Sequence, residues 1–433
     1  MNQKIPPGTF GLPLIGENIS FFTNPNFTEE KHKKYGDIFK TNVLGNKTIF
    51  IRGIEANKFV LQNEDKYFQA FLPVNLELLF GKTSVSAQTG ERHLELRKIL
   101  YPLFQKQSLE TYLNEINIII EEYLEKWQKR ETFAWYTEFR SLTFDIVAKI
   151  IIGLDKANQS EFGKLIKSWE DGIFAIPLKL PWTKLGMALK SRATLLEYLQ
   201  KEIASRLQKT SLGTDILGYL IQAHQKGLLS SEEVGDQTLN LLFAGYSSLT
   251  SSLTSACLLL AENPSVFQKL KQEINSLKFN RIESIEQLDK LVYLEQVTLE
   301  ILRYLPAVGV GFRQIIGDCE FQGYQLQKGW NLIYQIGLTH RFSGLFDKED
   351  QFIPERFKES QKIPYGSFIP FGGGIRECIG KALAILEIKL IIAKLTQYQW
   401  LLVPEQNLDF TLFPTPHPKD ELIVKFTKIN NEN

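Results

Sequence analysis

The chain predicts a mainly α-helical domain with a minor β region, on three observations. Helical apolar spacing dominates from Glu91 to about Leu260. Short alternating strands are confined to one stretch near each end, and no Pro-, Gly- or Ser-rich linker divides the 433 residues. The expectation is therefore one domain over 1–433, with a small sheet in about 1–90, a helical core in about 91–310 and strands with a glycine-rich loop in about 311–433.

In chain order, Phe27 to Tyr35 reads as a helix, followed by Gly36-Asp37 and two alternating strands, Asp37 to Leu44 and Lys47 to Arg52, joined at Gly45-Asn46. Helical spacing recurs in Leu109 to Trp127, Phe139 to Ile152 and Leu195 to Leu207, with Gly153, Gly213 and Gly227 at helix ends. The run Gln237 to Ala261 carries no charge, yet about a third of Leu241 to Ala261 is Ser or Thr, which fits a buried central helix better than a membrane span. Asn263-Pro264 stops it and starts another helix, Ser265 to Leu277. A helix from Leu288 to Leu305 is closed by Pro306. Strands fill Phe312 to Trp330, with turns at Gly317-Asp318 and Gly323-Tyr324. An irregular stretch runs to Pro370, and the tail from Leu401 to Phe426 reads as hairpins.

Hydrophobic residues at 43%, aromatics at 12% and charges at 23% indicate a globular chain with a large core. A net charge of +1 points to no nucleic-acid partner. Cys257, Cys319 and Cys378 are an odd, scattered set, which excludes a disulfide framework and predicts a reducing compartment. The start, Met1 to Gly16, lacks an apolar core, so a soluble, cytoplasmic monomer without a transmembrane anchor is expected.

The most informative segment is Phe371-Gly-Gly-Gly-Ile-Arg376-Glu-Cys378-Ile-Gly380, directly before the apolar helical run starting at Lys381. A thiolate bound to iron needs amide hydrogens near the sulfur, and glycines let the backbone approach. The following helix start adds positive dipole. Arg376 suits a carboxylate of a bound cofactor, and Phe371 suits a cover against water. Elsewhere Glu300 and Arg303 share a helix face, as do His93 and Arg97.

The segment matches F-x-x-G-x-R-x-C-x-G and is extended by Ala384 and Glu387; the chain here resembles the cytochrome P-450 family, whose heme-binding loop carries that signature. The resemblance implies the cytochrome P-450 fold, heme b with Cys378 as the axial thiolate, and oxidation of a substrate with dioxygen and external electrons. It implies that His93, Arg97, Arg313 and Arg376 bind the heme propionates and that Phe371 and Gly380 shape the loop. It further implies that Glu300, Arg303 and Arg356 of Pro354-Glu-Arg-Phe357 form a buried structural lock.

The family's A-G-x-(D/E)-T-T element aligns with Ala244-Gly245-Tyr246-Ser247-Ser248-Leu249. Ala244 and Gly245 are the expected oxygen-groove residues, Ser247 replaces the acid, and Ser248 replaces the usual threonine, keeping an alcohol there. Splitting dioxygen needs protons, and a serine relays them without being a reservoir. Ordered water with Ser248 is one reading; oxidative aryl or C–N coupling in natural-product biosynthesis is the alternative; a non-catalytic heme sensor is the rival from another class. Hydroxyls bonding back to the preceding turn are the bland alternative for Ser247, Ser248, Thr250 and Ser251.

By family topology the substrate roof falls in the irregular segment Lys66 to Gln88, with Phe68, Phe71, Leu76 and Leu79, and further walls fall at Tyr246, Ala307, Val308, Val310, Leu412 and Phe413. The lining suits a small apolar or aromatic ligand such as an indole, retinoid or terpenoid. With no flavin or nicotinamide fingerprint, electrons come from a ferredoxin or flavodoxin, for which Lys381, Lys389 and Lys394 are candidate docking charges. The flavour of Phe321 to Trp330 and Pro414-Thr-Pro416 resembles cyanobacterial members allied to retinoid and sterol hydroxylases.

Overall fold

The structure is a computed structural model. It describes residues 4–13, 15–277, 281–342, 344–358, 363–411 and 415–429. These group into two compact units, each assembled from separate stretches. One comprises Met1–Phe71, Gln296–Cys378 and Phe410–Leu412; the other comprises Leu72–Glu295, Ile379–Asp409 and Phe413–Asn433.

The first unit, the loop unit, is built on a five-stranded mixed sheet in the order Ile38–Val43, Asn46–Arg52, Asn331–Gln335, Val310–Ile315, Phe68–Ala70. The two N-terminal strands form the expected hairpin, with Phe39 opposite Phe50. Its turn falls one residue earlier than the sequence suggests. Leu44 (φ +55°) and Gly45 (φ +77°) are both left-handed, the paired geometry that matches strand twist. Asn46–Arg52 then runs parallel to Asn331–Gln335, while Val310–Ile315 is antiparallel to it. Alternation sends Ile49, Ile51, Phe68, Ile315 and Leu332 into one core with Val60 and Leu61 of the helix Ile54–Gln62. Each such side chain stabilises by about 1.5–3 kcal/mol.

The second unit, the helical unit, is organised on a 32-residue helix, Ser231–Glu262. Its start carries a full capping box between Ser230 and Glu233. The charge-free run is explained by burial around most of the helix, which leaves no face for charges. Its alcohols are compatible with burial because Thr238, Thr250 and Thr254 donate to the carbonyls four residues back at 2.7–2.8 Å. Ser251 instead donates to the Pro416 carbonyl at 2.6 Å. Helix Trp135–Ile152 packs along this rod and ends at Gly153 in the left-handed conformation, as expected. Among the described residues, no helix is long and apolar enough to cross a membrane.

Several elements differ from expectation. The segment read as an irregular roof contains the strand Phe68–Ala70 and the helix Val74–Phe80. Helices Glu161–Glu170 and Ile216–Gln225 were not foreseen, their apolar stripes being short and interrupted by glycine.

Candidate heme-thiolate site

Of the three cysteines, Cys257 and Cys319 are buried and Cys378 is exposed. Burial pushes the Cys257 thiol well above its ordinary value and the Cys319 thiol up to about 11, so both are inert apolar packing groups. Cys378 follows a short helical turn, Gly374–Arg376. Its amide donates to the Phe371 carbonyl at 2.9 Å, closing the loop, and the Gly372 amide donates to Ile369 at 2.9 Å. Gly372 (φ +70°) and Gly374 (φ +63°) adopt conformations that other residues rarely take, and a Cβ at Gly374 would meet the Leu61 carbonyl at 3.0 Å. The glycines are therefore required by the loop's shape.

The loop is held by a buried charged lattice within the same unit. Glu300 and Arg303 are fully buried and bonded twice, at 2.7 and 2.9 Å, and Arg356 reaches the same carboxylate at 3.1 Å. The remaining guanidinium hydrogens go to main-chain carbonyls: Arg303 to His340, Glu349 and Gln351, and Arg356 to Asp347, Lys348 and Gln351. Such satisfaction of every partner is what lets a buried ion pair persist. His340 was not anticipated. Its carbonyl accepts from Arg303, and its Nε2 accepts from the Ile369 amide at 3.0 Å, two residues before Phe371. Burial, helped by the Arg303 charge, holds its imidazole neutral by lowering its pKa to about 3, as an acceptor role demands.

Two predicted carboxylate-binding arginines meet in this unit. Arg313 donates through Nε to Glu64 at 2.5 Å, and Arg376 Nε lies 3.6 Å from the other Glu64 oxygen. His93 and Arg97 lie on the helix Gly90–Leu100 of the helical unit, His93 buried and Arg97 half-buried. Gly380 caps the helix Lys381–Leu395 and accepts from the Ala384 amide at 2.9 Å.

In the helical unit, Ala244 is exposed on the mostly buried central helix. Gly245 serves helix packing: a Cβ there would come within 2.5 Å of Val147 Cγ2. Ser247 is 5% exposed, whereas Ser248 is partly exposed, with its hydroxyl bonded back to the Ala244 carbonyl at 3.1 Å. Tyr246, expected as a pocket wall, is buried. Its hydroxyl donates to Glu170 at 2.8 Å, Glu170 pairs with Arg140, and the ring packs edge-on against Phe144. Desolvation beside the Glu170 charge raises the phenol far above its ordinary value, so it stays protonated.

The other pocket candidates divide. Phe68 and Leu79 are fully buried: Phe68 stacks edge-on with Phe59, and the Leu79 carbonyl accepts from Trp169 and Arg192. Phe71, Leu76, Ala307 and Val310 are partly exposed and Val308 is exposed. Leu412 and Phe413 lie outside the described residues. The basic docking face also needs correction. Lys389 pairs with Glu295 and Lys394 with Glu121, each at 2.9 Å and with side chains 7% and 12% exposed, so these charges are spent inside the helical unit; Lys381 is exposed.

One exposed thiol on a glycine-shaped loop, with two buried arginines sharing one carboxylate, suits a planar dianionic cofactor that takes a sulfur ligand. This donor set defines the heme-thiolate class. The sequence model of cytochrome P450 matches residues 6–424, and the chain belongs to that family. It is 40% identical over 427 residues, covering 97% of this chain and 96% of the relative, to putative cytochrome P450 120 of Synechocystis. It is 32% identical to cytochrome P450 26B1 of Xenopus tropicalis, covering 99% of this chain and 88% of that one. A solved structure described as retinoic acid bound cyanobacterial CYP120A1 superposes with a TM-score of 0.95 at 40% identity, over 99% of this chain and 100% of that one. The chain is thus a heme-thiolate oxidoreductase of the monooxygenase type.

Proposed function

We propose that the protein hydroxylates a retinoid-sized isoprenoid, an apolar polyene or terpenoid with one polar end. The observation that carries this reading is the end-to-end similarity to a cyanobacterial relative whose structure holds retinoic acid. The heme supplies dioxygen activation once external electrons arrive. Cys378 anchors it through sulfur, and Arg313, Arg376, His93 and Arg97 neutralise its carboxylates, which would be costly to bury unpaired. Ala244 leaves room beside the reacting centre, and the Ser248 hydroxyl passes protons from water. Phe71, Leu76, Ala307, Val308 and Val310 are the wall residues that fit an apolar chain. The electron donor is a ferredoxin or flavodoxin that docks without Lys389 and Lys394.

Oxidative coupling is the second reading, favoured by Ser247, which places no carboxylate in the proton relay. Turnover of retinoids, terpenoids, indoles and phenols under heavy-isotope dioxygen, with a surrogate ferredoxin system, separates the readings. Hydroxylation predicts one labelled oxygen in an isoprenoid product. An unlabelled dimer lacking two hydrogens replaces it with coupling, and ligand-induced heme shifts with no product of any kind would make the chain a sensor.

A further inference from the structure

We infer that Glu64 is a positioning residue for heme binding, a built-in counter-anion that fixes Arg313 and Arg376 for the propionates. The inference uses the family's cofactor and is independent of which substrate is oxidised. The Glu64 side chain is 4% exposed and carries two buried guanidinium groups, Arg313 at 2.5 Å and Arg376 at 3.6 Å, with side chains 7% and 9% exposed. Both arginines thus rest against one buried carboxylate, Arg313 by a hydrogen bond and Arg376 at ion-pair distance, and a dry interior keeps such charges only where they are paired.

The backbone places Glu64 for this task. It follows helix Ile54–Gln62 in a turn whose amides at Lys66, Tyr67 and Phe68 all donate to the Asn63 carbonyl at 3.0–3.2 Å. The chain then enters strand Phe68–Ala70, in which Ala70 is the direct partner of Arg313. On the other side, Gly374 packs on the Leu61 carbonyl, bringing the Arg376 turn to the same helix end. One short turn thus joins the strand bearing Arg313 to the loop bearing Arg376 and Cys378.

The contacts also divide the donors. Arg313 has five N–H groups. Nε is held by Glu64, Nη1 donates to the Phe312 carbonyl, and the guanidinium lies over the Tyr334 ring, 5.5 Å from its centroid. A guanidinium fixed on one edge presents its remaining hydrogens in a set direction, the preorganisation that bidentate carboxylate recognition uses. Glu64 touches neither sulfur nor substrate in this account; it acts through the arginines.

The test uses the purified holoenzyme with Glu64→Gln and Glu64→Asp, read by heme transfer to apomyoglobin and by the propionate-bending band in resonance Raman spectra. Glu64→Gln is expected to accelerate heme loss about tenfold, the loss of one charge-assisted hydrogen bond, and to shift the propionate band. Glu64→Asp is expected to recover most of both. Faster loss with an unmoved band would mean a merely structural role and overturn the inference, as would an unchanged transfer rate. If Glu64→Gln does not accumulate as holoprotein, the band in Glu64→Asp decides: an intermediate shift supports the inference and an unmoved band overturns it.

Discussion

The loop around Cys378 and the central-helix turn around Ser248 both carry chemistry-bearing residues, yet they are supported in opposite ways. The loop has left-handed glycines and little regular secondary structure of its own, and it is tied outside itself through His340, whose ring accepts from the Ile369 amide and whose carbonyl accepts from Arg303 of the buried lattice. The helix turn takes its path from regular helical hydrogen bonding: Ser248 and Thr250 bond back to their own backbone, and the outside ties of Tyr246 to Glu170, Thr250 to Thr143 and Ser251 to the Pro416 carbonyl are added to a helix that is already regular. A segment that borrows its geometry tolerates little change, whereas a regular helix accepts new polar side chains without losing its path. This contrast explains how the acid position of the helix can hold Ser247 while the loop signature is complete.

Substitutions at five positions would break or sharpen the contrast. Cys378→Ala is expected to abolish the thiolate-type carbon monoxide spectrum, while Cys257→Ala leaves it intact; a retained spectrum in the first would refute the ligand assignment. Glu300→Ala strands two buried guanidinium groups and should cost about 3–5 kcal/mol. The measurement is denaturant unfolding alongside heme content, and both should fall together if the lock supports the loop. Tyr246→Phe removes one hydrogen bond to a buried carboxylate that Arg140 still pairs, so about 1–3 kcal/mol should be lost with the heme spectrum unchanged. A disturbed spectrum would show that the helix turn, too, borrows its geometry. Ser248→Ala should leave stability within about 0.5 kcal/mol yet lower the product formed per electron pair, by at most about 100-fold. Unaltered coupling would remove Ser248 from the relay.

What the sequence reveals follows from how far apart the partners lie. The Cys378 loop is legible because its ten residues are contiguous. The helix from Phe27 to Tyr35 and the first hairpin are legible because periodicity and turn residues are local signals. Glu64 and His340 were invisible: Glu64 meets a partner 249 positions away, and the ring of His340 serves an amide 29 positions on. Lys389 and Lys394 were misassigned for the same reason, since nothing local announces Glu295 or Glu121 as their partners. Tyr246 and Gly245 sit on a helix buried around most of its surface, where apolar pattern has no phase to distinguish one face from another.

Glu387, in the helix that follows the cysteine loop, is buried, and desolvation raises its carboxyl to about 8. It is protonated when folded at neutral pH and ionised when unfolded, so folding draws a proton from solution. The associated stabilisation is greatest below the ordinary carboxyl value of about 4.3 and declines as pH rises from there toward 8. Assembly of the chain is thereby coupled to the acidity of its surroundings, and unfolding heats measured in buffers of different ionisation enthalpy should differ by the heat of that one transferred proton.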